Sequence, residues 1–294
     1  MIEIRPDPEV IVQRPSIVGE GSIWDNDRKL FYWVDILDHK LFIYNPETAE
    51  NREIDTCQAV GTVVPREKGG LALALHNGFA WIDLDTEKIT PLGDPERTTP
   101  ENRFNDGKCD PAGRFWAGTM EFGGEPERGA LYCLDADCQI SEKVSPATIS
   151  NGLAWSLDHR TMYYVDTGLN TVRAFDYEIE SGDLENERVV IECEPPGHFD
   201  GITIDSEGML WIAIFQGWAV RRYNPNTGEL LLSIRLPVSQ VTSCALGGDD
   251  LNELYITSAS HGFDEQQWNE QPLTGSLLRV PVDVSGVPAF CFQG

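Results

Sequence analysis

Short apolar and aromatic runs, broken by Gly, Asn and Asp, recur along the whole chain. They read KLFYWVDI (29–36), KLFIYN (40–45), GLALAL (70–75), GFAWIDL (78–84), RFWAGTM (114–120), ALYCLD (130–135), TMYYVDT (161–167), TVRAFDY (171–177), MLWIAIF (209–215), AVRRYN (219–224), ELYITSA (253–259) and SLLRVPV (276–282). Their length, their β-branched and aromatic content and their turn-rich borders predict strands. Helical periodicity is nearly absent. The pattern predicts an all-β chain.

The runs also recur in a fixed order. GEGSIWDNDRKLFYWVDILDHKLFIYNPETAE (19–50) and SNGLAWSLDHRTMYYVDTGLNTVRAFDYEIESGD (150–183) share one plan: a polar-Gly head, a short apolar strand, an acidic turn, an aromatic strand, a short turn and a third strand. FDGITIDSEGMLWIAIFQGWAVRRYNPNTGE repeats it, as do FNDGKCDPAGRFWAGTM with GALYCLDADCQ, and VTSCALGGDDLNELYITSAS with GSLLRVPVDVSG. AVGTVVPREKGGLALALHNGFAWIDLDTEK is a weaker sixth copy. A spacing of about 40–50 residues is that of a propeller blade. The expectation is a six-bladed β-propeller with four-stranded antiparallel blades around a central channel, residues 1–294 forming one domain. A long insert, Glu121 to Arg128, falls between the second and third strands of its copy, where a loop can reach over one face.

The innermost strand of each blade lines the channel, so the residue at its head sits at the channel mouth. Those heads are Glu20, Gly61, Asn105, Asn151, Asp200 and Thr242-Ser243. Asn151-Gly152 resembles a hairpin turn, yet it opens an apolar run instead of closing a strand. Asn151 therefore reads as an inward-pointing ligand, with Gly152 leaving the backbone room beside it. A lone Asx turn explains any single head. Four oxygen-bearing heads in one register point to a site.

Composition bounds what that site serves. The 294 residues are 41% hydrophobic and 10% aromatic, enough for a sizeable core. A formal charge of −26 argues against nucleic acid, whose phosphates require clustered Lys and Arg. The acids are dispersed, as on a well-solvated surface. MIEIRPDPEV lacks the basic and apolar regions of a signal peptide, and no run is long enough to span a membrane. Seven scattered cysteines without a C-x-x-C fit free thiols in a reducing compartment. The expected location is cytoplasmic. Both a monomer and a weak dimer are compatible with the sequence.

Two carboxylates and one or two amides around a point suit a hard divalent cation, Ca²⁺ first, with Mg²⁺, Zn²⁺ and Mn²⁺ as alternatives. No His or Cys stands at a head to favour zinc. Few protein ligands leave open positions for water and substrate, as in catalytic rather than structural sites. The sequence has no G-x-S-x-G, H-E-x-x-H or Walker loop, and no G-x-G-x-x-G in a βαβ unit. His198, in PPGHFDG, reads as a partly exposed loop histidine. Asp106, Lys108 and Asp110 read as turn and blade-stabilising residues.

GEGSIWD, RFNDGKCDPAGRFWAGTM, SNGLAWSLDHRTMYYVDT, DGITIDSEGMLWIA and VTSCALGG with LYITSA together resemble the SMP-30/gluconolactonase/regucalcin family, in order and over nearly the whole chain. The resemblance implies one divalent ion in the channel of a sugar lactonase. It implies Glu20, Asn151 and Asp200 as ligands, with Asp200 also the acid/base residue. It further implies that Arg103 and Asn105 hold substrate oxygens, Asn105 close to the metal, and that an acidic residue after GTM, Glu121 or Glu125, contacts substrate. The chain departs from the family in having Phe199, preceded by His198, where a proline commonly precedes the metal-binding Asp. A calcium-binding regulatory protein without turnover, a hydrolase of another ester such as an organophosphate, and an interaction scaffold are the competing readings. Converging acids at the mouth speak against the scaffold.

Overall fold

In a computed structural model that describes residues 2–294, the chain forms six sheets arranged as the blades of a propeller. The inner strands are Gly19–Asp25, Val60–Pro65, Asn102–Cys109, Ser150–Trp155, His198–Ile204 and Val241–Gly247. Each is followed by its own antiparallel meander, and the second and third strands of the blades carry the apolar runs read from the sequence. All-β architecture, six blades and four-stranded sheets are as expected.

Three features go beyond the sequence reading. The sixth blade takes its outer strand from the start of the chain, Glu9–Val12, which pairs antiparallel with Leu277–Pro281 and so closes the ring. Ile2–Ile4 adds a fifth strand to the fifth blade, parallel to Leu230–Arg235. Among the described residues one helix occurs, Glu265–Glu270, started by a capping box between Asp264 and Gln267. All seven cysteines are free.

The core lies between blades, where inner and second strands bury both faces. Trp33, Trp116, Trp211, Tyr32, Tyr164 and Tyr255 are among its largest fully buried side chains. Indole and phenol groups in such places need a hydrogen-bond partner. Buried acids in the first turns of two blades provide it for Trp116, Tyr177 and Trp211. Asp110 accepts from Trp116 Nε1 (2.8 Å), Tyr177 OH (2.8 Å) and Arg114 Nε (2.6 Å), and Asp205 accepts from Trp211 Nε1 (2.8 Å) and Arg222 Nε (2.7 Å). Because Tyr177 belongs to the next blade, Asp110 ties the third blade to the fourth. This supports reading Asp110 as a stabilising residue.

Every inner strand slips by one residue against its neighbour, and each slip lies at the head position. Between Glu20 and Ile23, Val60 and Thr62, Phe104 and Gly107, Ser150 and Leu153, Phe199 and Ile202, and Val241 and Ser243, the inner strand carries one residue more than the strand it pairs with. Such bulges re-aim side chains and increase the local twist. Six of them at one height make a ring.

Removing the Asp110 carboxylate leaves the Arg114 guanidinium buried beside unpaired phenol and indole donors. Asp110→Ala should therefore lose about 3–5 kcal/mol of stability in chemical unfolding. A shift of under about 1 kcal/mol, the net worth of one ordinary hydrogen bond, would show that the interblade tie is dispensable.

Candidate active site at the channel mouth

The bulge ring brings the oxygen-bearing heads together. Glu20, Asn105, Asn151 and Asp200 are 3%, 5%, 3% and 6% exposed, so all four point away from bulk solvent. Gly152 permits this closeness, since a Cβ there would stand 2.6 Å from Ile202 N and 2.8 Å from Asp200 O. Glu20 and Asn151 lie close enough to Asp200 to act on its proton affinity.

Three of the four are oriented by a partner. Asn151 Nδ2 donates to Thr167 Oγ1 (3.1 Å), and that hydroxyl donates to Phe199 O (2.8 Å). Asn151 Oδ1 and Asp200 Oδ1 are left buried with no hydrogen-bond partner. Glu20 Oε2 accepts from Gly21 N (2.9 Å). Asn105 is held on both sides, donating through Nδ2 to Ser150 O (2.9 Å) and accepting at Oδ1 from Arg103 Nη1 (2.8 Å). Arg103 is only 8% exposed and its Nε finds no acceptor.

Asp106 and Lys108 depart from the turn reading. Both lie on the inner strand Asn102–Cys109, with Asp106 inside the bulge, 4% exposed and close enough to raise the proton affinity of Glu20 and Asp200. Lys108 Nζ donates to Ile202 O (2.6 Å) and offers Asp106 its positive charge. A buried acid in the register of the heads was the sequence signal. Asp-Gly, so common in turns, obscured it.

The remaining expected residues sit at the rim. Glu121 ends the strand Phe115–Glu121, where its Oε2 accepts from Gly123 N (2.7 Å) and Glu125 N (3.2 Å), and Glu125 is exposed in the insert. Phe122 lies 5.8 Å from the Arg103 guanidinium and meets the His76 ring edge-on at 5.1 Å. His198 opens an inner strand instead of lying in a loop, and it is exposed. Phe199 is fully buried against Tyr223.

The electrostatics follow from burial. Three carboxylates, Glu20, Asp106 and Asp200, share the channel with two cations, Arg103 and Lys108. Desolvation, with the charge of Asp106, pushes Asp200 up to about 8 against the downward pull of its polar neighbours Glu20 and Asn151. Glu20 is raised well above the carboxylate range by desolvation and then by Asp200 and Asp106. Burial also lowers Arg103 to about 10, against the upward pull of Glu20 and Asp200. The protein therefore holds protons where a cation could sit. Among the described residues no three His, Cys, Asp or Glu side chains gather as a metal cage. The donors here are two carboxylates and an amide, with two oxygens unpartnered, and that set fits a hard divalent ion.

These shifts make the ion-free protein sensitive to pH. Folded Asp200 keeps its proton to about 8, whereas an unfolded carboxyl loses it near 3.8. The folded chain thus binds more protons across that window, and stability falls as pH rises through it. Urea unfolding of ion-free protein should show this decline, and Asp200→Asn should flatten it. Parallel slopes for the two proteins would remove Asp200 as its source.

Comparison with known proteins gives the family. Residues 18–260 match the model of the SMP-30/Gluconolactonase/LRE-like region. Regucalcin from Danio rerio is 40% identical over 97% of this chain and 98% of its own length. The Bacillus subtilis (strain 168) protein YvrE, named for sugar lactone lactonase activity, is 36% identical over 95% of this chain and 96% of its own. The solved structure of a luciferin-regenerating enzyme superposes with a TM-score of 0.92 at 32% identity, covering 98% of this chain and all of the other. On the matched region and these relatives, the chain belongs to the SMP-30/gluconolactonase/LRE-like family.

Proposed function

We propose that this protein opens sugar lactones, converting an aldonolactone to its aldonic acid, with a divalent ion held by Glu20, Asn151 and Asp200. The observation that carries the reading is the pair of buried, unpartnered oxygens, Asn151 Oδ1 and Asp200 Oδ1, beside the acid Glu20. A relative 36% identical bears a sugar lactone lactonase name, which gives the substrate class.

An ion at those donors, Ca²⁺ first with Zn²⁺, Mn²⁺ and Mg²⁺ as alternatives, would supply Lewis-acid polarisation of the lactone carbonyl. The chain's own groups do the rest. Asp200 takes a proton from the attacking water and returns it to the ring oxygen as the C–O bond breaks. Arg103 presents Nη2 and the unused Nε to sugar oxygens, and Asn105 fixes that guanidinium in place. Glu121 has Oε2 committed to the insert, which leaves Oε1 for a sugar hydroxyl.

The test is a lactone panel assayed after chelation and again with each ion restored. Turnover should vanish and return. Ion uptake without turnover on any lactone would favour the regulatory reading that the regucalcin name of a relative suggests. Glu20→Gln should weaken ion binding because it removes a ligand charge. Arg103→Lys should raise KM and leave ion binding intact, since Lys lacks the planar fork. Asp200→Asn, filled with ion, should stay about 10²–10⁴-fold slower. Recovery of kcat on saturation would make Asp200 a ligand alone.

A further inference from the structure

The channel has a second end. Below the acid cluster the inner strands finish around a cavity of about 360 Å³, within the range of about 300–1,000 Å³ usual for small-molecule sites. Trp24 and Trp155 line it from two inner strands, Leu157 and His159 from a turn, and Phe290 from the last stretch of chain. That stretch crosses the opening as a strap. At one side Gly286 pairs with Asp205 and Ser285 O accepts from Ser206 N (2.9 Å) in the fifth blade. At the other side Phe292 N donates to Pro65 O (2.8 Å) in the second blade and Gln293 N to Gly113 O (3.0 Å) in the third. His159 meets Phe290 edge-on at 5.5 Å, which joins the turn to the strap.

Lys108 separates this space from the site above. Its Nζ donates to Ile202 O (2.6 Å), so the side chain runs from the third inner strand to the fifth, with Asp106 as its counter-charge. The one cation of the cavity wall is therefore already engaged, and the whole chain carries a charge of −26. Both facts disfavour an anionic occupant. A sugar is equally disfavoured, because walls so poor in polar groups would leave its hydroxyls unpaired. The walls offer aromatic edges from Trp24, Trp155, His159 and Phe290. Aromatic guests gain from such rings by edge and offset contacts.

We propose that the cavity beneath the strap is a second ligand site, separate from the lactone site, that takes a neutral aromatic molecule. The inference stands whether or not the protein turns over lactones.

The probe is 6-propionyl-2-(dimethylamino)naphthalene, a neutral aromatic ketone whose emission shifts to the blue in apolar surroundings. Titrated into the full chain, it should bind saturably, one per chain, with energy transfer from tryptophan. Ala245→Phe, which fills the cavity, and Leu157→Asp, which puts a charge on its half-exposed rim, should each weaken the probe by about tenfold or more. Ion uptake should be unchanged in both variants. If Ala245→Phe fails to fold, the rim variant still decides. Absent or unsaturable binding, binding untouched by Leu157→Asp, or displacement of the probe by excess gluconolactone would each overturn the proposal.

Discussion

The channel mouth depends on one backbone device, the single extra residue in each inner strand. Side chains on a regular strand alternate between faces, and a slip of one residue exchanges them. Here the slip falls at the same height in all six blades, so the heads turn into the channel while the rest of each strand keeps its apolar faces against its neighbours. Close approach is the second half of the device. At Gly152 no side chain fits between the fourth and fifth inner strands, and this brings Asn151 beside Asp200. An alanine there would force apart the two residues that the site needs adjacent.

The sequence shows where burial is two-sided and conceals where it is not. Second and third strands are largely buried on both faces, so they read as apolar runs, and their predicted limits agree with the structure to within a few residues. Outer strands such as Glu50–Asp55 and Leu184–Glu192 face solvent along most of their length, and their charges erase the pattern. Glu9–Val12 has a strand-like sequence, but its partner Leu277–Pro281 lies at the other end of the chain, a pairing that no local signal announces. The helix Glu265–Glu270 buries nothing, so it has no apolar stripe. Its capping box, Asp264 to Gln267, was the one available mark. Within the site, blade position exposed Glu20, Asn151 and Asp200, whereas Asp106 was hidden because a bulge and a turn favour the same Asp-Gly pair.

Two classes of buried acid separate structure from chemistry. Asp110 and Asp205 are wholly buried, yet their oxygens accept from backbone amides, an indole and a guanidinium. Such acids complete the packing. Glu20, Asp106 and Asp200 are almost as buried but have few donors and two cations among three carboxylates. Burial alone would favour their replacement by apolar residues. A bound divalent ion would change that balance, because it would supply the charge and the missing contacts together. The same ion would displace protons from Glu20 and Asp200, so its uptake would be coupled to proton release.

Polarity then divides the channel along its length. Carboxylates, amides and Arg103 gather at one mouth, and indoles and the strap close the other. Lys108 stands between, with its ammonium bonded to Ile202 O and facing Asp106. An apolar floor beneath the acids sharpens their behaviour, because a low local dielectric strengthens every charge interaction above it. It also explains why a lysine, ordinarily a surface residue, belongs at this depth. Without that positive charge, three carboxylates would face only Arg103. The fold thus brings acids and an apolar cavity into one channel, and the Lys108 side chain lets them coexist.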